Sequence, residues 1–337
     1  PDRRALHSAY KYLIMGSIGA TFIVIGIGML YMMTGTLNMM DLSDRLPQVS
    51  SRVVSVAFAF LTVGICLKLA LFPLHLWLPD AYTFAPSAIT AFLASTATKV
   101  AVYMLLRFFF TIFGPTFSLG VMGFQAVLLP LALIAILSAS LTAIYQRNVK
   151  RLLAYSSVAQ VGYMVLGISL ASVTGITAGL LHLFNHALIK AALFMAVGAV
   201  MYQVGSTRIE AMRGLGKRMP WTMAAFVLGG LSLIGVPGTV GFVSKWYQVL
   251  GAVEAGLWPI AMVVLVGSLM ALVYVWRVVE AAYFQPFVGH LDIKEAPLTL
   301  LIPTWALVVA NLYFGLHSTP TTGIAIRAAE VLLGVEP

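Results

Sequence analysis

The feature that most constrains this chain is a series of long apolar runs separated by short polar gaps. A helix needs about 20 mainly apolar residues to cross a bilayer. Nine segments meet that length: Tyr12–Met33, Val53–Phe72, Ser87–Phe109, Phe124–Ala143, Leu152–Ala171, Ile176–Met201, Trp221–Val249, Leu257–Phe284 and Leu298–Leu316. They lack the strict alternation of barrel strands, so the spans read as helices, which satisfy their own backbone in hydrocarbon. The expected fold is an all-α, polytopic membrane helix bundle with a mildly amphipathic tail, 318–337, outside it. Charged residues make up only 9% of the 337, against about 25% in soluble domains. That excludes a soluble enzyme, a nucleic-acid binder and a disordered chain.

The formal charge of +9 reads as membrane-orienting charge, because basic residues collect in the gaps. Of the 20 Lys and Arg, twelve fall on the side shared with the N-terminus, among them Arg3, Arg4, Arg147, Lys150, Arg208 and Arg277. Four lie on the opposite side or in the tail (Arg45, Arg52, Arg107, Arg327), and four lie inside spans. This bias places the N-terminus in the cytoplasm and, after nine crossings, the C-terminus outside, in a cell membrane of bacterial plasma-membrane type. A single cysteine, Cys66, gives no disulfide framework and no multi-thiolate metal site. The chain opens on Pro1 without an initiator Met or signal sequence, so it is expected to be part of something longer.

Two spans are interrupted. Lys68 is followed by Pro73, His75 and Pro79, and Gly235-Val236-Pro237-Gly238 stands ahead of Lys245. Proline removes a backbone hydrogen bond that hydrocarbon cannot replace. A simple kink accounts for either break alone. Two breaks, each with a lysine nearby, point to an ion path.

A lysine near the bilayer centre costs roughly 2.5–3.5 kcal/mol, and Lys68, Lys99, Lys190 and Lys245 all fall inside spans. Snorkelling suits Lys68 or Lys245, near helix breaks, better than Lys99 or Lys190. Ser95, Lys99 and Tyr103 recur every four residues and read as one polar stripe; His182, His186 and Lys190 read as a second. Buried lysines and histidines can gain and lose protons near neutral pH. Tyr155, Ser156, Ser157, Gln160, Tyr163 and water would fill the gaps between them. For either histidine alone, a hydrogen-bonded core residue is the plainer reading. No metal is expected at His182 and His186, since no third ligand lies near and Lys190 repels a cation. Most of the 11 acids lie outside the spans, so the lysines' carboxylate partner is expected from a preceding region or a neighbouring subunit.

Several runs are familiar. PheProLeuHisLeuTrpLeuProAspAlaTyr (Phe72–Tyr82), ThrLysValAlaValTyrMetLeuLeuArg (Thr98–Arg107), the segments Asn148–Tyr163 and Leu181–Phe194, and GlyValProGlyThrValGlyPheValSerLysTrp (Gly235–Trp246) resemble the proton-pumping membrane subunits of respiratory complex I. They also resemble the large subunits of Mrp-type sodium/proton antiporters and membrane-bound hydrogenases. The wording around Lys68 and Lys99 looks most like the D-type large subunit of the Mrp antiporters.

This resemblance implies a proton-translocating subunit of a multisubunit monovalent cation (Na⁺)/H⁺ antiporter. The alternative is a subunit of M or N type in complex I (NADH:quinone oxidoreductase), or a hydrogenase subunit. It further implies a fold of about fourteen spans on two inverted repeats, of which these nine would be the sixth to fourteenth. Residues 1–317 would form that domain and 318–337 the tail. Position by position, Lys68 matches the central protonatable group of the first half-channel, and Lys99 the lysine that links the half-channels. His182, His186 and Lys190 match the polar axis beyond it, and Lys245 its terminal lysine. Lys150 matches a lysine that guides proton uptake, and Pro73 and Pro237 mark the helix breaks. The helix ahead of Tyr12 should carry a glutamate paired with Lys68. The implied partners are other membrane subunits, H⁺, Na⁺ and the lipid bilayer, not nucleic acid. No catalytic residue of its own and no cofactor are expected, since no GxGxxG after a strand and no cysteine set are present.

Overall fold

The computed structural model describes residues 3–49, 52–287 and 293–335, and every regular element among them is helical. In chain order these are α1 (Arg3–Thr34), the short α2 (Met39–Arg45), α3 (Arg52–Leu69), the short α4 (Leu78–Phe84) and α5 (Ser87–Leu106). Then follow α6 (Phe124–Ile144), α7 (Val149–Ser169), α8 (Val173–Val204), the single turn α9 (Leu215–Arg218), α10 (Pro220–Ile234) and α11 (Val240–Glu254). The chain closes with α12 (Trp258–Phe284), α13 (Leu298–Leu316) and α14 (Thr319–Leu333).

Among the described residues eight helices are long and apolar enough to cross a membrane: α1, α3, α5, α6, α7, α8, α12 and α13. The expected seventh span, Trp221–Val249, is divided between α10 and α11, of 15 residues each. Neither half alone reaches the length of a span. Glu295 caps the first half, its carboxylate accepting from Trp221 N–H at 2.8 Å and from the Thr222 hydroxyl, where a negative charge complements the helix dipole.

The bundle is arranged around α7 and α8. Nearly every residue of α7 is buried, which its modest hydropathy does not predict; its polar residues are turned toward neighbouring helices. α8 packs against α5, α7, α10, α11, α13 and α14. The tail departs from expectation. α14 packs along α8, with Thr322, Ala325 and Ala329 buried, because small residues on one face let it approach closely. It is a peripheral helix of the bundle, not a segment outside it.

Candidate functional site

The two helix breaks are built alike. At the end of α3, Ala70 takes a left-handed conformation (φ 60°). Its N–H donates to Leu67 O (3.2 Å) and that of Leu71 to Cys66 O (3.1 Å), the double bond of a Schellman cap. At the end of α10, Gly235 (φ 93°) is left-handed. Its N–H donates to Ser232 O (3.1 Å) and that of Val236 to Leu231 O (3.1 Å). Pro73 and Pro237 both lie inside the breaks, past the caps.

The lysines behave differently. Lys245, on the half-helix after the second break, reaches back to the last carbonyls of α10, donating to Leu233 O (3.1 Å) and Ile234 O (2.8 Å), and also to Ser268 Oγ on α12 (2.9 Å). Its ammonium lies 5.1 Å from the centre of the Tyr163 ring. Lys68 stands in the last turn of α3 and makes no hydrogen bond or ion pair among the described residues. It lines a cavity of about 190 Å³ between α1, α3 and α5. At the first break the carbonyl of Leu67, which also accepts from Ala70 N–H, accepts from the indole N–H of Trp77 (2.9 Å).

Lys99 is buried on the opposite side of α5 from Lys68. Ala97, Val100, Ala101 and Met104 face the Lys68 cavity, and Lys99 projects from the other face, where it donates to the carbonyl of Ala94. The expected stripe of Ser95, Lys99 and Tyr103 does not form. Tyr103 is 59% exposed, and the Ser95 hydroxyl donates to Ala91 O and Phe92 O of its own helix. Positions four apart advance by slightly more than one turn, and here that drift carries the ends of the stripe off the buried face.

On α8 the second stripe does form. His182, His186 and Lys190 are all buried, and the two imidazoles stack with 6.3 Å between ring centres. His182 bridges two helices: Nε2 lies 2.8 Å from Gln160 Oε1 on α7, and Nδ1 2.9 Å from Ser244 Oγ on α11. An amide oxygen only accepts, so Nε2 carries the proton and Nδ1 of the neutral ring accepts from Ser244. Protonation of Nδ1 would reverse that bond, and the Ser244 hydroxyl already reaches Gly241 O at 3.3 Å. Lys190 donates to Leu153 O (2.9 Å) and to the hydroxyl of Ser156 on α7. α5, which carries Lys99, packs against α8, which carries His186 and Lys190.

The structure therefore brings Lys99, His186, Lys190, His182 and Lys245 into one buried region spanning α5, α7, α8 and α11. Lys68 sits behind α5. Lys150 lies apart from that line at the start of α7, buried, donating to Ala85 O (2.6 Å). Three buried lysines, Lys99, Lys190 and Lys245, take neutral oxygens as partners, whereas the sequence raised the expectation of carboxylates. A carbonyl accepts from an ammonium or from a neutral amine, and a hydroxyl can also donate to the amine, so neither imposes a fixed charge on the pair. Both ring nitrogens of His186, with Thr98 Oγ1, Thr177 Oγ1 and the Tyr274 hydroxyl, are buried without a partner among the described residues. Buried polar groups of this kind are the usual seats of internal water.

Ser244, Ser268 and Asp80 escaped the sequence reading. Asp80 accepts from Lys11 on α1 (2.8 Å) and lies 3.4 Å from Arg151 on α7, tying three helices beside the first break. A serine among many hydroxyls carries no signal of its own; only its neighbour Lys245 could have drawn attention to Ser244.

Residues 2–271 match the protein family described as NADH:quinone oxidoreductase/Mrp antiporter, TM. The chain belongs to this family. The "NADH-quinone oxidoreductase subunit N" of Desulforudis audaxviator is 43% identical over 345 residues, covering 97% of this chain and 68% of that protein. The D-type subunit of a Na(+)/H(+) antiporter from Alkalihalophilus pseudofirmus is 30% identical, covering 97% of this chain and 66% of its own length. A chain in the structure of the Mrp complex from Dietzia sp. superposes with a TM-score of 0.89 at 27% identity, over 97% of this chain and 68% of the other. The family assignment and the polytopic membrane fold expected from the motifs both hold. The chain spans about two thirds of these relatives.

Proposed function

We propose that this chain is a proton-translocating subunit of a multisubunit membrane complex, with no chemical active site of its own. Protons step along Lys68, Lys99, His182, His186, Lys190 and Lys245, and Lys150 guides their uptake. Residues 1–317 form the conducting domain and 318–337 its C-terminal appendage. The N-terminus of this segment is cytoplasmic, the C-terminus outside, and the membrane is the bacterial plasma membrane. Other membrane subunits are its partners.

One observation carries the reading. Titratable groups on three helices share a buried region in which their partners are neutral oxygens and polar groups without a partner among the described residues. A charge can appear and vanish there without leaving a fixed counter-charge stranded. Broken helices border the region, and unwound backbone at membrane depth is tolerated only where it is enclosed by protein or lines a cavity.

Two driving forces fit the relatives. Sodium/proton exchange follows the likeness to the antiporter relative and to the Mrp complex. A redox-driven pump of complex I type follows the 43% identity to subunit N. Proton flux into inverted vesicles carrying the complete complex separates them. Flux that depends on sodium supports the antiporter, and flux that ignores sodium but follows quinone reduction supports the redox pump. In either case Lys245→Ala and Lys99→Ala abolish flux while the subunit still inserts, since losing a buried charge eases insertion. Undiminished flux in both variants overturns the relay.

A further inference from the structure

At the end of the bundle where α1 begins, two loops are stitched together. Val149 N–H donates to Thr207 O (2.8 Å), Ile209 N–H to Arg147 O (2.9 Å), and the Asn148 amide to the Thr207 hydroxyl (2.9 Å), an isolated antiparallel bridge between Asn148 and Arg208. The bridge holds Arg147 and Arg208 on the wall of one cavity of about 430 Å³, which Arg4 and Arg151 also line. Glu210 is the one acid among the described residues of that wall. Arg151 leans toward Asp80 at 3.4 Å, yet its Nε is buried without a partner among the described residues. No ion pair reaches Arg147 or Arg208 among the described residues.

We propose that this cavity binds the phosphate headgroup of an anionic phospholipid. Arg147 and Arg208, with no ion pair among the described residues, face the single carboxylate of Glu210, which leaves a surplus of positive charge that an anion relieves. The planar guanidinium fork matches phosphate oxygens in pairs, and basic pockets between membrane helices at the bilayer surface are suited to lipid headgroups. The neighbouring surface selects a lipid over a free phosphate or an acidic protein segment. Tyr145, on the wall of the cavity and 74% exposed, is the kind of ring that settles at headgroup level. Below it Leu141, Leu137 and Ile134 are exposed on the same face of α6. From Tyr145 to Ile134 that face runs about 16 Å at 1.5 Å per residue, a ready bed for an acyl chain.

The test uses the complete complex reconstituted into vesicles of phosphatidylcholine with or without phosphatidylglycerol, then extracted in mild detergent. Lipid retained is counted by native mass spectrometry. Wild type keeps bound phosphatidylglycerol and no comparable phosphatidylcholine. Arg208→Gln lowers retention about fivefold, the factor for roughly 1 kcal/mol per basic residue near the membrane surface. Arg147→Gln/Arg208→Gln lowers it further. Glu210→Gln raises retention, an effect that misfolding cannot mimic. Equal retention in all four proteins, or equal retention of phosphatidylcholine, overturns the proposal. So does displacement of the lipid by millimolar inorganic phosphate at constant ionic strength, which would mark a free-anion site. Loss of a partner subunit from the double variant, with lipid retained, would assign the cavity to an acidic protein segment.

Discussion

The two helix breaks share one backbone device and use their lysines in opposite ways. Each ends a membrane helix with a left-handed residue and a pair of Schellman bonds. At the second, the ammonium of Lys245 folds back onto two carbonyls at the end of α10, where the helix dipole favours a cation. At the first, the Trp77 indole holds the carbonyl of Leu67, and Lys68 is left facing a cavity. One break is closed by its own titratable group. The other is closed by a group that never titrates, so its lysine is free to interact outward. A change of charge at Lys245 must therefore alter the hold on its break, and a change at Lys68 need not.

The largest effect that would break this comparison is steric. α10 and α11 cross so closely that a Cβ on Gly241 would sit 1.7 Å from Ser232 O. Gly241→Ala should cost about 3 kcal/mol, the upper end of typical overpacking, read as a large fall in the melting temperature of the purified complex. A melting curve like that of wild type would show that the second break yields easily.

Next comes the difference between the caps. Gly235 is left-handed, and a Cβ there would meet Lys245 Cδ at 2.9 Å. Ala70 already bears a Cβ in that conformation, at about 1–2 kcal/mol. Gly235→Ala should therefore lower thermal stability and Ala70→Gly raise it. Shifts of the same sign would end the analogy between the caps.

The lock itself can be tested by amide exchange. Lys245→Ala should speed exchange across Val236–Thr239 about tenfold, the loss of roughly 1.4 kcal/mol of local protection. Lys68→Ala should leave 70–77 unchanged, whereas Trp77→Phe should loosen it by removing one of the two donors to the Leu67 carbonyl, at about 1 kcal/mol. Faster exchange at the first break in the Lys68 variant would refute the asymmetry.

The smallest effect lies between the breaks. His182→Ala should reduce proton flux without abolishing it, because water can fill the space between Gln160 and Ser244. Complete loss would make the imidazole itself indispensable.

Much of the architecture was legible in the sequence because lipid imposes a one-dimensional rule. Runs of apolar residues long enough to cross had to be helices, and Pro73 and the Gly-Val-Pro-Gly run at 235–238 had to interrupt them. The motifs carried the family in the same way. The spacing of His182, His186 and Lys190 marked a buried face correctly, since α8 is packed on several sides. The same spacing misled for Ser95, Lys99 and Tyr103, since α5 has one face toward α8, one toward the Lys68 cavity and one open. Periodicity gives a stripe, and only the neighbours decide which part of it is buried.

The sequence by itself determined the membrane spans, the two interruptions and the presence of lysines and histidines that hydrocarbon would penalise. Only the tertiary structure decided what those groups touch. Lys245 bonds carbonyls 11 and 12 residues away because the break turns the chain back on itself. His182 meets Gln160 and Ser244 across three helices, and Arg147 and Arg208 face one cavity through a bridge between distant loops. Such partners are fixed by the packing of whole helices, which depends on close approach at positions such as Gly241 and not on any local pattern. That is the physical reason the polar chemistry of this bundle becomes readable only once it is folded.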